Sequence, residues 1–215
     1  MNKTQPSRIE RLKPWLIVLC LIPVYRWLFL AFGGQLGVDP ARFMVQSSGL
    51  TALVFLIITL SITPLRVHLA MPELVKWRRT FGLFTLFYAC CHAIFWFWLD
   101  RRLNFSLVAV GVSERPFIYL GVLNLLMLTA LALTSNQAMV RKLGRNWRRL
   151  HRLVYVVAVL AMLHMWQMQE QGSDYVVVII AAVVIGFLLL WRVIYQRKQA
   201  SKVQESLANI KPRSE

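Results

Sequence analysis

The sequence predicts an all-α integral membrane protein, a six-helix transmembrane bundle with both termini in the cytoplasm. Three observations predict it. Six segments are mostly apolar over roughly the 20 residues that a span requires. Basic residues gather in alternate connections and are sparse in the others, the pattern that sets topology through the positive-inside rule. The connections are short, which makes consecutive helices antiparallel neighbours. The chain is 58% apolar and has no apolar-poor stretch long enough for a separate soluble domain. It therefore divides into a cytoplasmic N-terminal segment (1–14), the six-span domain (15–195) and a cytoplasmic polar tail (196–215).

Span one is read from Trp15 to Phe32. It is span-length and lacks a small-residue cleavage site, so it is no cleavable signal peptide. Arg26 lies inside it, where a guanidinium either snorkels to the interface or answers a buried negative group. The stretch Gly33-Gly34-Gln35-Leu36-Gly37-Val38-Asp39-Pro40 follows a helix and lacks the lysine of a phosphate-binding loop. It reads as an outer turn. Spans two to six run from Gly49 to Val67, Phe81 to Leu99, Phe117 to Ser135, Leu150 to Gln167 and Tyr175 to Tyr195, with Pro64 and Pro116 as boundary signals. Beyond Tyr195 the tail is polar, reads as frayed, and is too short for a nucleotide-binding domain.

Within the spans, Phe95-Trp96-Phe97-Trp98 reads as part of an interfacial aromatic belt. Gly82, Gly121 and Gly186 read first as close helix packing and second as room for a porphyrin. Cys20, Cys90 and Cys91 show no Cys-x-x-Cys spacing and read as small packing residues. No internal repeat is evident, although spans three and five each have a basic approach and a histidine in the outer half.

The formal charge of +16 would suit nucleic acid, but its placement excludes that partner. Lys3, Arg8, Arg11 and Lys13 precede span one; Arg66, Lys76, Arg78 and Arg79 follow span two; Arg141, Lys142, Arg145, Arg148, Arg149 and Arg152 flank the approach to span five; Arg192, Arg197, Lys198, Lys202, Lys211 and Arg213 close the chain. The other side holds Arg42, Arg101, Arg102 and Arg115. Such loops match the anionic lipid of an inner leaflet.

Three of the four histidines, His92, His151 and His164, lie in or at the edge of apolar runs, and the fourth, His68, falls in a basic loop. An ionisable group at membrane depth marks a functional site by default. At about 1.5 Å per residue, His92 lies about 18 Å from the inner end of its span and about 10 Å from the outer end. His164 falls a few residues short of the outer end of a span running the same way, so the two stand at nearly one height. A haem held by two histidines needs its ligands at matching depth on facing helices.

His151 precedes His164 by 13 residues, which puts it about 20 Å lower and, on an ideal helix, about 140° around. It cannot share that iron. An inner haem would use His151 with another ligand at its depth, where span three presents Arg78 and Arg79. Arginine stays protonated and pairs with propionate or phosphate. A His68 to His151 pair rests on no spacing argument. Each of these histidines also has a bland alternative, a hydrogen bond to a neighbouring helix or an interfacial position.

The stretch from Leu131 through Thr134-Ser135-Asn136-Gln137 to Leu150-His151-Arg152-Leu153-Val154-Tyr155 resembles the MsrQ (YedZ) family, the haem-binding membrane subunits of bacterial periplasmic methionine sulfoxide reductase systems. So do the Gly33 to Pro40 turn, Ile62-Thr63-Pro64-Leu65, Arg78-Arg79-Thr80-Phe81-Gly82-Leu83 and Arg115-Pro116-Phe117-Ile118-Tyr119-Leu120-Gly121. More distantly the chain is similar to the ferric reductase and NADPH oxidase transmembrane domain. The resemblance covers nearly the whole chain apart from its tails.

It implies a b-type cytochrome of the bacterial inner membrane that passes electrons from the quinone pool to a periplasmic molybdopterin-containing methionine sulfoxide reductase catalytic subunit. It would be the non-catalytic member of that heterodimer, supporting repair of oxidised envelope proteins. It implies haem b, one or two per chain, on His92, His151 and His164, with the family's paired arginines at Arg78 and Arg79. It also implies bound FMN, which no motif here locates. The two-haem relatives carry two histidines on each of two helices and a fused flavin and nicotinamide domain; this chain has neither feature, so its electrons come from another component. Alternatives from other classes are a polytopic transporter of a metal ion or organic anion, and a passive anchoring subunit. The first favours acidic residues at the midplane, yet every Asp and Glu lies outside the apolar centres; the second leaves the buried histidines unused.

Overall fold

The computed structural model describes residues 11–104, 117–169 and 175–210, with side chains to 206. Among them every regular element is helical. Lys3, Arg8, Arg115, Pro116, Lys211 and Arg213, named above, lie outside the described residues. The protein is a multi-pass membrane protein: five helices are long and apolar enough to cross a bilayer, and a sixth span exists if one bent pair is taken together. Large apolar side chains such as Phe29, Leu126, Val183 and Phe187 are more than 60% exposed, as lipid-facing surface must be.

The first span is two helices, α1 (Lys13–Cys20) and α2 (Ile22–Phe32), broken at Leu21. Pro23 causes the break, because it has no N–H and its ring collides with the preceding turn. The Val24 N–H bonds the Leu21 carbonyl, so the Cys20 carbonyl loses its usual helical donor. Tyr88, fully buried, donates its hydroxyl to that carbonyl at 2.6 Å.

The Gly33 to Asp39 segment is a turn, with positive φ at Gly34 and Gly37, and leads into α3 (Pro40–His68). Asp39 caps α3 by accepting from the Arg42 N–H, and Pro40 occupies the first turn, where its missing donor costs nothing. His68 is the last residue of this helix rather than a loop residue. After a 3₁₀ turn (Pro72–Leu74), α4 (Val75–Phe95) runs on into a π turn (Trp96–Asp100).

The fourth span is shorter than its apolar run. α5 (Phe117–Leu133) stops before Ser135, and the chain bends by 96° into α6 (Gln137–Leu143), capped by Asn136 on the Met139 N–H. Gly144, at φ +50°, turns it into α7 (Arg145–Leu150); a two-residue break at His151 and Arg152 precedes α8 (Leu153–Gln167). The last span, α9 (Val176–Ile210), continues as helix well beyond Tyr195. Sequence reading placed a frayed tail there; Gln, Arg, Lys and Ala, all good helix formers, extend it instead.

α3 lies between two cores. One face brings Leu53, Leu56 and Leu60 against Leu128, Val157, Ala158 and Ile185; the other brings Phe55 and Ile62 against Cys20, Trp27, Phe81 and Tyr88. The most extensive packing is α3 on α4 and α5 on α8, two antiparallel pairs. Asn124 of α5 is buried facing α8, with its amide nitrogen 3.2 Å from the Val157 carbonyl and its oxygen 3.1 Å from the Ala161 nitrogen. In lipid such polar contacts hold helices together.

Candidate functional site

Each helix pair delivers one histidine to the same place. The His92 and His164 rings stand with centroids 6.1 Å apart and planes at 89°. This is the pair that depth arithmetic brought to one height. Their Nδ1 atoms point outward to main-chain oxygens: His92 Nδ1 lies 2.9 Å from the Val45 carbonyl of α3, and His164 Nδ1 lies 2.6 Å from the Phe117 carbonyl of α5. A carbonyl can only accept, so each Nδ1 carries the proton. Each Nε2 is then an unprotonated donor atom, and neither has a hydrogen-bond partner among the described residues.

Corresponding positions of the two halves recur at a spacing of 72 residues: Val45 and Phe117, Gly49 and Gly121, and His92 and His164. Sequence reading found no repeat, because only these few positions carry it. In sequence the same spacing relates Arg79 to His151, a guanidinium in the first half and an imidazole in the second.

Imidazole nitrogens sit about 2 Å from a bound transition metal; with roughly 1 Å from nitrogen to ring centre on each side, two trans imidazoles stand about 6 Å apart. The observed 6.1 Å fits one ion between them. No three His, Cys, Asp or Glu side chains gather to hold a metal among the described residues. Two imidazoles at this separation are the donor set that a haem would need from a protein, since a porphyrin brings its own nitrogens. The residues present fit a haem.

His151 is elsewhere. It stands in the break between α7 and α8, so the ideal-helix angle relating it to His164 does not hold. Its ring stacks on Trp147 at 4.1 Å, and its Nε2 lies 3.2 Å from Thr134 Oγ1. The Thr134 hydroxyl gives its one proton to the Ala130 carbonyl at 2.7 Å, so His151 Nε2 donates and Nδ1 is the nitrogen left. Trp147 Nε1 donates to the Thr134 carbonyl at 2.9 Å, which ties the whole connection to the end of α5.

Arg78 and Arg79 part company. Arg79 is exposed, whereas Arg78 is half-buried, within electrostatic reach of His151, Tyr155, Arg66 and Arg192. Arg192 reaches from α9 to donate to Thr63 Oγ1 at 3.0 Å and lies 5.1 Å over the Tyr155 ring. Sequence reading counted Arg192 and Arg66 only as loop and tail charge. No Asp or Glu occurs in α3, α4 or α8, and the first in α9 is Glu205. Half-buried arginines from three helices therefore share one region whose helices carry no carboxylate near them. Such a region suits an anion.

The remaining candidates stand apart. His68 is exposed with its ring 5.6 Å from Trp191, and nothing brings it to His151. Arg26 is exposed over the Phe43 ring at 5.5 Å. Gly82 and Gly186 leave ordinary space, with nothing nearer than 3.8 Å to an added Cβ. Gly121 sits against His164, and so does Gly49, unremarked in the sequence, against His92.

A family model described as ferric reductase like transmembrane component matches residues 45–162, which takes in both helix pairs apart from the start of α3 and the end of α8. Among curated proteins the chain is 42% identical to the protein-methionine-sulfoxide reductase heme-binding subunit MsrQ of Bordetella pertussis over 185 residues, 86% of this chain and 90% of that one. Proteins of the same name are 37% identical in Herminiimonas arsenicoxydans, over 92% of this chain and 91% of that one, and 39% identical in Brucella ovis, over 89% and 86%.

Proposed function

The chain belongs to the ferric reductase-like transmembrane family, among the MsrQ haem-binding subunits, and on that premise we propose that it is a b-type cytochrome of the bacterial inner membrane. It carries electrons from the quinone pool to a periplasmic molybdopterin-containing methionine sulfoxide reductase. An electron-transfer role in the membrane follows from the family. The chain crosses the membrane six times with both termini in the cytoplasm, and it binds one or two haems and FMN.

One observation carries the reading: two perpendicular imidazoles, each with Nδ1 bonded to a carbonyl, with ring centroids 6.1 Å apart. His92 and His164 would hold an outer haem through their Nε2 atoms. A bound haem b supplies one-electron chemistry at iron, which is the cofactor's own. The helices set its depth, exclude water through Leu53, Val157 and Ala158, and orient both ligands. On the inner side, His151 and Arg78 flank a second cofactor, and Arg66, Arg78 and Arg192 bind its propionates or phosphate. Arg79, outward-facing, meets the leaflet or the donor.

The test is a dithionite-reduced minus oxidised spectrum of the purified chain, with a pyridine haemochrome to count haem b. Sharp low-spin bands support the reading, and two haems per chain give His151 an iron of its own. A colourless preparation from haem-replete cells overturns it in favour of transport.

A further inference from the structure

We propose that Gly49 and Gly121 are positioning residues that set the orientation and donor strength of the His92 and His164 imidazoles. They do so by keeping open the route by which each ring reaches its main-chain carbonyl. The inference rests on the reading of these imidazoles as axial ligands.

In an α-helix the carbonyl of residue i is bonded by the N–H of residue i+4, and it keeps a second lone pair. Gly49 is residue i+4 to Val45, and Gly121 is residue i+4 to Phe117. A Cβ on Gly49 would lie 2.9 Å from His92 Nδ1 and 3.1 Å from its Cε1; a Cβ on Gly121 would lie 3.0 Å from His164 Cε1 and 3.3 Å from its Nδ1. The atom crowded by the missing methyl is thus the one that makes the hydrogen bond, or its immediate ring neighbour. A side chain at position 49 forces the His92 ring to shift, and one at position 121 makes the His164 ring give by a few tenths of an ångström. Helix packing alone would not single out these two glycines: Gly82 has its nearest neighbour, Thr59 Cγ2, at 3.8 Å, and Gly186 has none within 4 Å.

The chemical consequence follows from what the bond does to the ring. A proton held on Nδ1 leaves Nε2 as the ligand atom, and sharing it with a carbonyl makes that nitrogen a stronger donor. A stronger donor favours the ferric state and lowers the reduction potential. The backbone rather than a carboxylate provides the acceptor, so the ligands are tuned without placing a charge in the hydrocarbon. The construction occurs twice, at the same spacing of 72 residues, once for each ligand.

The experiment uses the full chain carrying Gly49→Ala, Gly121→Ala or Gly82→Ala, followed by redox titration of the outer haem and its low-spin EPR signal. Gly49→Ala and Gly121→Ala are expected to shift the midpoint potential upward and alter the signal, with Gly82→Ala unchanged. No shift, or a downward one, in both overturns the inference. If Gly49→Ala fails to accumulate, the pair His92→Ala and His92→Ala/Gly49→Ala decides, because without the imidazole the added methyl has nothing to strike. Equal accumulation of these two supports the proposal; failure of the double variant alone makes Gly49 a packing residue and overturns it. Absence of low-spin haem from the unsubstituted chain sinks the ligand reading instead, a distinct result.

Discussion

The Tyr88 hydroxyl donates to the Cys20 carbonyl at 2.6 Å across 68 residues of chain. The bond fastens the kinked first span to the helix that carries His92, one turn above Tyr88. Tyr88 also stacks on Phe55 at 5.1 Å and meets Trp27 edge-on at 5.6 Å, so its ring position is fixed on both sides. Tyr88→Phe keeps those ring contacts and leaves the carbonyl unsatisfied. It should cost about 1–3 kcal/mol, visible as a lower thermal midpoint in detergent, with haem content per folded chain unchanged.

His92→Ala and His164→Ala should each abolish the low-spin outer haem, since each ring supplies one of two protein ligands. Retention of that haem in either variant, judged by the reduced-minus-oxidised spectrum, would refute the pairing.

Substituting His151 addresses the inner side alone. His151→Ala should leave the outer haem's bands in place while haem per chain falls, if two are present in the unsubstituted chain. Thr134→Val, which removes the oxygen at 3.2 Å from Nε2, should reproduce part of that loss by freeing the ring from its stack with Trp147. A loss of the outer bands in either variant would mean that the two sites are not separate.

Arg192→Leu removes one guanidinium from the group formed with Arg66 and Arg78. Inner haem or flavin per chain should drop, with the outer haem intact. Unchanged haem and flavin contents would show that the basic region holds neither cofactor. Arg79→Leu, at an exposed position, is the matched control and should leave both contents unaltered.

Asn124→Leu tests the joint between α5 and α8, on which the position of His164 depends. Interhelical polar contacts in membranes contribute roughly 0.6 kcal/mol on average and up to about 2. A small fall in thermal midpoint is therefore expected, and a collapse of the fold would show that Asn124 does more than join two helices.

Hydropathy and charge order are local properties of a chain, so the sequence by itself determined the membrane class, the approximate spans and the alternation of basic and less basic connections. The rise per residue of a helix is nearly constant, so it also determined that His92 and His164 share a height and that His151 cannot join them. Where a single local residue decides, structure followed sequence less closely: Pro23 breaks the first span, and the 96° bend after Leu133 cuts the fourth short. What a ring touches depends on how two helices are rotated and crossed, which is fixed by packing between residues far apart in the chain. Only the tertiary structure therefore decided that the Val45 and Phe117 carbonyls hold the imidazoles, that Gly49 and Gly121 admit them, and that Arg192 joins Arg78 while Arg79 turns outward.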